Sequence, residues 1–208
     1  KLTKILSINF DIFIRTILLT FAFLWVTYQG AKIGEEFVAV NSILMQFIIF
    51  SSFLLDAYAF STESVVGYTV GRGVQKSFLN SSKNSFELSF FTSIILSLFY
   101  ILFAKYIINF LTDLDVIRFM SYSFIFWIIL IPPVASFCYQ LDGIYIGAAQ
   151  TTDLRNAMII SVALYIASSF FLIDKFNNHG LWLSLLLLMI FRSLTLAIFF
   201  SRILKKFK

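Results

Sequence analysis

Residues 181–204 read LWLSLLLLMIFRSLTLAIFFSRIL. Up to Arg202 this run holds a single charge, Arg192. It is long enough to cross a bilayer, since a spanning helix needs about 20 predominantly apolar residues. The composition around it fits the same solvent. Of 208 residues, 60% are hydrophobic, 13% are charged and 27 are Phe. A soluble domain carries roughly 25% charged residues, so this chain could not fold in water without exposing large apolar patches. The fold class is all-α: a polytopic membrane bundle.

Outward from that run, five more segments qualify as spans. The candidate helices are about 8–28, 39–70, 86–110, 116–149, 153–173 and 181–204, in one membrane domain covering 1–208. Gly30 and Gly34 end the first, and Gly71 and Gly73 stop the second. The second and fourth are longer than a bilayer requires, so they tilt or project from it. Residues 75–85, rich in Ser, Asn and Lys, read as a polar loop. Pro132 and Pro133 sit inside the fourth segment. Proline removes an N–H and crowds the preceding turn, which predicts a kink there; the alternative is a break into two segments. Residues 174–180 read as the last turn.

Six spans place both ends of the chain on one side. Lys1, Lys4, Arg72, Lys76, Lys83, Arg155, Arg202, Lys205, Lys206 and Lys208 fall on that side, and Lys32, Lys105, Arg118 and Lys175 on the other. With Arg15 and Arg192 inside spans, this accounts for all 16 basic residues. Cytoplasmic loops carry the excess of Lys and Arg, so the termini are expected in the cytoplasm and the chain in the plasma (inner) membrane. The net charge of +5 follows the span ends and forms no basic stripe, which argues against nucleic acid as a partner. The chain opens on Lys1 with no signal-peptide cleavage pattern.

Ionisable groups inside a membrane are expensive and are functional candidates by default. Asp56 and Glu63 are nearly two turns apart on the second helix, so both carboxylates face one way, with Ser52, Ala59 and Gly67 on the same face. That pattern suits a cation or proton site facing the bundle interior. The structural alternative is that these acids bond to Arg15, Arg192 or backbone of adjoining helices. Arg15 follows Asp11 at a spacing that allows an ion pair within the helix, a structural clamp. Arg192 has no acid within a turn, so its partner is another helix or a bound substrate. Asp142, after the double proline, is expected at the cytoplasmic rim in a capping or ion-pair role. Gly143 and Gly147 have the spacing that lets helices approach closely. The lone Cys138 reads as a packing residue and the lone His179 as a loop residue, so no metal site and no disulfide are expected. No nucleophile–base arrangement is evident, and the glycines at 71 and 73 lack the strand and Lys-Ser/Thr of a phosphate loop. An enzyme is not expected.

Several segments together resemble the multidrug and toxic compound extrusion (MATE) family, in its DinF-like branch. Residues 9–16 (NFDIFIRT) resemble the opening of that family's seventh helix. Residues 55–60 (LDAYAF), Glu63, Val66-Gly67 and 70–73 (VGRG) look like the following helix and its stop. Residues 141–148 (LDGIYIGA), Thr151-Thr152 and 155–158 (RNAM) are similar to the tenth-to-eleventh helix link. Residues 178–183 (NHGLWL) and 192–196 (RSLTL) look like the last helix. Ala57 stands where the branch's Leu-Asp-Gly pattern has Gly. The resemblance implies twelve helices in two six-helix lobes, of which this chain is the C-terminal one. It implies export of small organic compounds in exchange for H⁺ or Na⁺, with no other cofactor and with a missing N-terminal lobe as partner. A half-sized protein that dimerises is the alternative to a piece of a longer one. It also carries the motif positions Asp56, Glu63 and Arg192 forward as ion or substrate pathway candidates, with Asp11, Arg15, Pro132, Pro133, Asp142 and Gly143 as structural or gating candidates. A lipid-linked flippase with a wide cationic cavity, and a non-transporting assembly subunit, are the competing readings.

Overall fold

The computed structural model describes residues 2–207, apart from the side chains of Leu2 and Lys4. Lys1 and Lys208, counted in the charge tally above, lie outside the described residues. The elements are α1 (Leu2–Ile33), α2 (Glu35–Gly71), α3 (Gln75–Leu111), α4 (Asp115–Tyr122), α5 (Ile125–Gly147) and α6 (Thr151–Leu204). A short 3-10 turn, Lys205–Phe207, follows. Five of these helices are long and apolar enough to cross a membrane. The last of them is long enough for two crossings. Its backbone leaves helical geometry at Asn177 (φ 49°, ψ −130°), and the second arm folds back along the first. Ser161 meets Thr195 at 3.2 Å, and a Cβ on Gly180 would collide with the carbonyl of Leu172. Glycine is what lets the arms meet so closely beside the turn.

Two expectations are displaced. Residues 75–85 are helix, not loop. The start of α3 is polar but anchored, because Phe78 is fully buried with its ring 6.1 Å from Phe200 and 5.1 Å from Phe207. The fourth span is interrupted at Ser123–Phe124, between α4 and α5, and stays helical through Pro132 and Pro133. Pro133 cannot donate to the carbonyl of Ile129. The Ser97 hydroxyl of α3 donates to that carbonyl instead, at 2.7 Å. Freed carbonyls in a spanning helix are tolerated where a neighbour satisfies them.

The centre of the bundle is α5, packed against α2, α3 and α6. Between α2 and α5 the backbones nearly touch. A Cβ on Gly143 would strike the carbonyl of Ala59, and one on Gly147 the carbonyl of Glu63. Hydrogen bonds flank this contact: Ser52 to Tyr139 (2.7 Å) and Thr62 to Gln140 (2.8 Å). At the end away from the termini, Asn41 and Asn178 exchange amide hydrogen bonds of 2.8 and 3.0 Å, and the Trp182 indole donates to Asn41 at 2.9 Å. This knot ties α2 to the turn in α6.

Candidate functional site

Two charge clusters and two half-buried acids divide the candidate residues. The first lies near the terminal end. Asp11, 2% exposed, accepts from Arg155 (2.6 Å), Thr151 (3.0 Å) and Thr152 (2.9 Å). Beside it Asp153 pairs with Arg202. These contacts fasten α1 and the end of α6 to the start of α6. The Asp11–Arg15 pair expected from their spacing does not form. The carboxylate of Asp11 is turned toward α6, where two hydroxyls and a guanidinium together satisfy it better than one neighbour on its own helix.

The second cluster is in the middle of the bundle. Asp142 is not at a rim; it is buried, and its Oδ2 takes both Arg15 and Arg192, the latter at 2.5 Å. α1, α5 and the second arm of α6 thus converge on one oxygen atom. Close packing at Gly143 holds the acid against α2 and away from water. Arg192 also lies over the Tyr139 ring, 5.5 Å from its centroid. Its partner is another helix, as the lack of a nearby acid required. A buried carboxylate is affordable only when paired and hydrogen-bonded. Here the donors outnumber the acceptor: two guanidiniums, one carboxylate. The Nε of Arg15 is buried with no hydrogen-bond partner.

Asp56 and Glu63 stand apart from both clusters. Each is half-buried, and neither holds a hydrogen bond or ion pair among the described residues. The arginines that the sequence offered them are on Asp142. Asp56 nevertheless lies within electrostatic reach of Arg15, Asp142 and Arg192. Glu63 is beyond the glycine contact, its backbone pressed on Gly147. The small-residue stripe Ser52, Ala59 and Gly67 is the surface on which α5 packs; the two acids sit at its edge.

That edge opens on the exposed face of α1 and α2. Asn9, Thr16, Thr20 and Thr27 share one exposed face of α1, and Ser42 and Gln46 are exposed on α2. A groove of about 300 Å³ runs between the two helices, lined by Thr20, Thr27, Ser42 and Gln46 among apolar neighbours. A second, of about 480 Å³ and largely aromatic, lies between α2 and α3 around Phe50, Phe53 and Phe99. Two of these hydroxyls, Thr16 and Ser42, donate to carbonyls one turn back in their own helices, at 2.9 and 2.7 Å. No group of His, Cys, Asp and Glu among the described residues has metal-binding geometry. Sequence reasoning missed the partners Thr151, Thr152 and Arg155, the proline-compensating Ser97 and the Asn41 knot. The signal was there in part: an Asn or Ser inside an apolar helix needs an acceptor or donor on a neighbour.

The family model MatE matches residues 12–171. DNA damage-inducible protein F of Escherichia coli K12 is 32% identical over 96% of this chain and 43% of its own length. Protein DETOXIFICATION 44, chloroplastic, of Arabidopsis thaliana is 25% identical over 86% of this chain and 34% of its own length. Among solved structures, a MATE protein in a bent conformation superposes with a TM-score of 0.86 at 16% identity, covering 94% of this chain and 44% of the other. A MOP superfamily transporter from Pyrococcus furiosus, whose binding pocket of reverse polarity suggests a different function for it, gives a TM-score of 0.85 at 16% identity, covering 95% and 44%. The chain spans less than half the length of the curated relatives it matches.

Proposed function

The chain belongs to the MatE family, and from that premise we propose that it forms one six-span lobe of a secondary transporter that exports small organic compounds, cationic or amphipathic, in exchange for H⁺ or Na⁺. The termini face the cytoplasm of a cell whose plasma (inner) membrane holds the protein. The second lobe completes the pathway against the exposed face of α1 and α2. Repeated lobes with a site between them are common among secondary transporters.

The observation that carries this reading is Asp56. It is a carboxylate within a membrane helix that has no protein partner, although two arginines stand within its electrostatic reach. It lies on the face of α2 that carries Gln46 and Ile49 at the polar groove, about two turns beyond Ile49. An intramembrane acid left without a fixed partner is suited to an exchangeable one, a proton or a cation. Arg15 and Arg192 are spent on Asp142, so the lobe offers no wide cationic cavity of the kind a lipid-linked flippase needs. A non-transporting subunit gives no reason for the polar row on α1.

The test is counterflow of an organic cation by the natural protein in liposomes, under separate H⁺ and Na⁺ gradients. Asp56→Asn is expected to abolish gradient-driven efflux, and Glu63→Gln to weaken it less. Efflux and ion dependence unchanged in both variants would overturn the assignment. The gradient that drives wild-type efflux identifies the coupling ion.

A further inference from the structure

The middle cluster has an imbalance that its packing does not remove. Two guanidiniums share one carboxylate oxygen, and Asp56 holds neither, although it lies one turn along α2 from Ser52, whose hydroxyl bonds the Tyr139 on which Arg192 rests. With Asp56 neutral, the set Arg15, Arg192, Asp142 and Asp56 carries one positive charge in excess. With Asp56 ionised it carries none. Buried charge without a counter-charge is costly, so the proton on Asp56 decides how the guanidiniums are best distributed. We propose that Arg15 is a travelling counter-ion, held by Asp142 while Asp56 is protonated and drawn across to Asp56 when that proton leaves, carrying α1 with it.

The surroundings decide which group moves. Asp56 and Asp142 are fixed. Their helices are locked by the Gly143–Ala59 contact and by the Ser52–Tyr139 and Thr62–Gln140 hydrogen bonds on either side. Arg192 is fixed as well: it is 2% exposed, lies over Tyr139 and reaches Met189 Sδ at 3.6 Å. Arg15 is the loosest member, 15% exposed, with Nε unpartnered. Its helix is the least enclosed span in the bundle: 17% of its most apolar stretch is buried, against 50% for α5.

Among the described residues, no other titratable or charged group competes at this position. From α5, Tyr139 and Cys138 face the cluster, and Tyr139 is engaged with Ser52. From α1, Asp11 is saturated by Arg155, Thr151 and Thr152. α3 meets this part of α2 through the neutral Thr92, bonded to Tyr58 at 2.8 Å, while its Lys83 and Glu87 pair with each other at 3.6 Å. Glu63 is on α2 itself, nearly two turns away. The structure, with both arginines on Asp142, is the arrangement expected for protonated Asp56.

This inference rests on Asp56 being the exchangeable acid, and its test reads movement rather than transport. Spin labels at Ala31→Cys, on the outer end of α1, and at Phe110→Cys, 89% exposed at the end of α3, report the distance between those helices in the natural protein in liposomes. Cys138 is fully buried and stays unlabelled. As pH is stepped through the titration range of a carboxyl, two distance populations are expected whose ratio changes by roughly tenfold. Asp56→Asn is expected to hold the acid-side distance at every pH. The charge-balanced double variant Arg15→Gln/Asp56→Asn, which leaves Arg192 paired with Asp142, is expected to fold and to show no pH response. A wild-type distance that ignores pH, or an Asp56→Asn protein that still responds, overturns the switch. Those results leave the transport assignment standing if Asp56→Asn has lost efflux. Normal efflux by Asp56→Asn removes Asp56 as the exchangeable acid, and normal efflux by Glu63→Gln as well removes the assignment itself.

Discussion

The contact of α2 with α5 and the seam of α1 with the rest of the bundle are built on opposite plans. In the first, glycines let backbone meet backbone, and hydroxyls clip the helices together on both sides of the contact. In the second, little of the helix surface is covered. α1 is held by Asp11 to Arg155 and by Arg15 to Asp142, with the Trp25 indole bonded to Ser169 at 3.0 Å. Close packing is non-directional and has one optimum. Ion pairs can exchange partners. The lobe therefore combines a stiff spine, α2–α5, with a helix that packs through one narrow apolar stripe around Ala22 and Val26 and is otherwise tied at a few charged points.

That contrast can be broken at its strongest point first. Asp142→Asn leaves two buried guanidiniums without their counter-charge and is expected to cost about 3–5 kcal/mol, read as a large drop in the thermal unfolding midpoint of the purified protein in detergent. A midpoint close to wild type would mean that the middle cluster does not hold α1 in place. The next effect belongs to the spine. Gly147→Val drives a branched side chain into the Glu63 carbonyl and Val66, an overpacking cost of about 1–3 kcal/mol or more. The same measurement checks it, and Gly71→Val, where nothing lies within 4 Å, is the control for losing glycine as such. The smallest effect sharpens the comparison. Ser97→Ala takes the donor from the Ile129 carbonyl and is expected to cost about 1 kcal/mol, with hydrogen exchange rising locally around Pro133. An unchanged exchange pattern would show that another donor reaches that carbonyl.

The spans were legible because hydropathy is a local property: each run advertises its own burial in lipid. The boundaries were less so. Helix 75–85 looks like a loop by composition, and only Phe78, placed among Phe200 and Phe207 by the fold, makes it worth ordering. The double proline predicted a kink, with a break as the alternative; the helix runs unbroken through it, and the residue that satisfies the freed carbonyl, Ser97, is on a different helix. Charge pairing failed for the same reason. Spacing suggested Asp11 with Arg15, yet each found its partner across the bundle, at Arg155 and Asp142. Conversely, Asp56 was legible as an exposed cost in an apolar helix, and Gly143 and Gly147 as a close-approach pair, because those signals do not depend on knowing the neighbour.

The hairpin at Asn177 bears on how the lobe is made. Arg192 lies on the last span of this chain to leave the ribosome, and Asp142 and Arg15 have been synthesised before it. The final helix thus need not be accepted by lipid with a naked guanidinium. Its first arm is already in contact with the bundle, the turn is one residue wide, and an acceptor is waiting at the depth where the charge arrives. Asp142 precedes Arg192 by 50 residues in the chain, so synthesis order supplies the acceptor before the most expensive side chain of the last span.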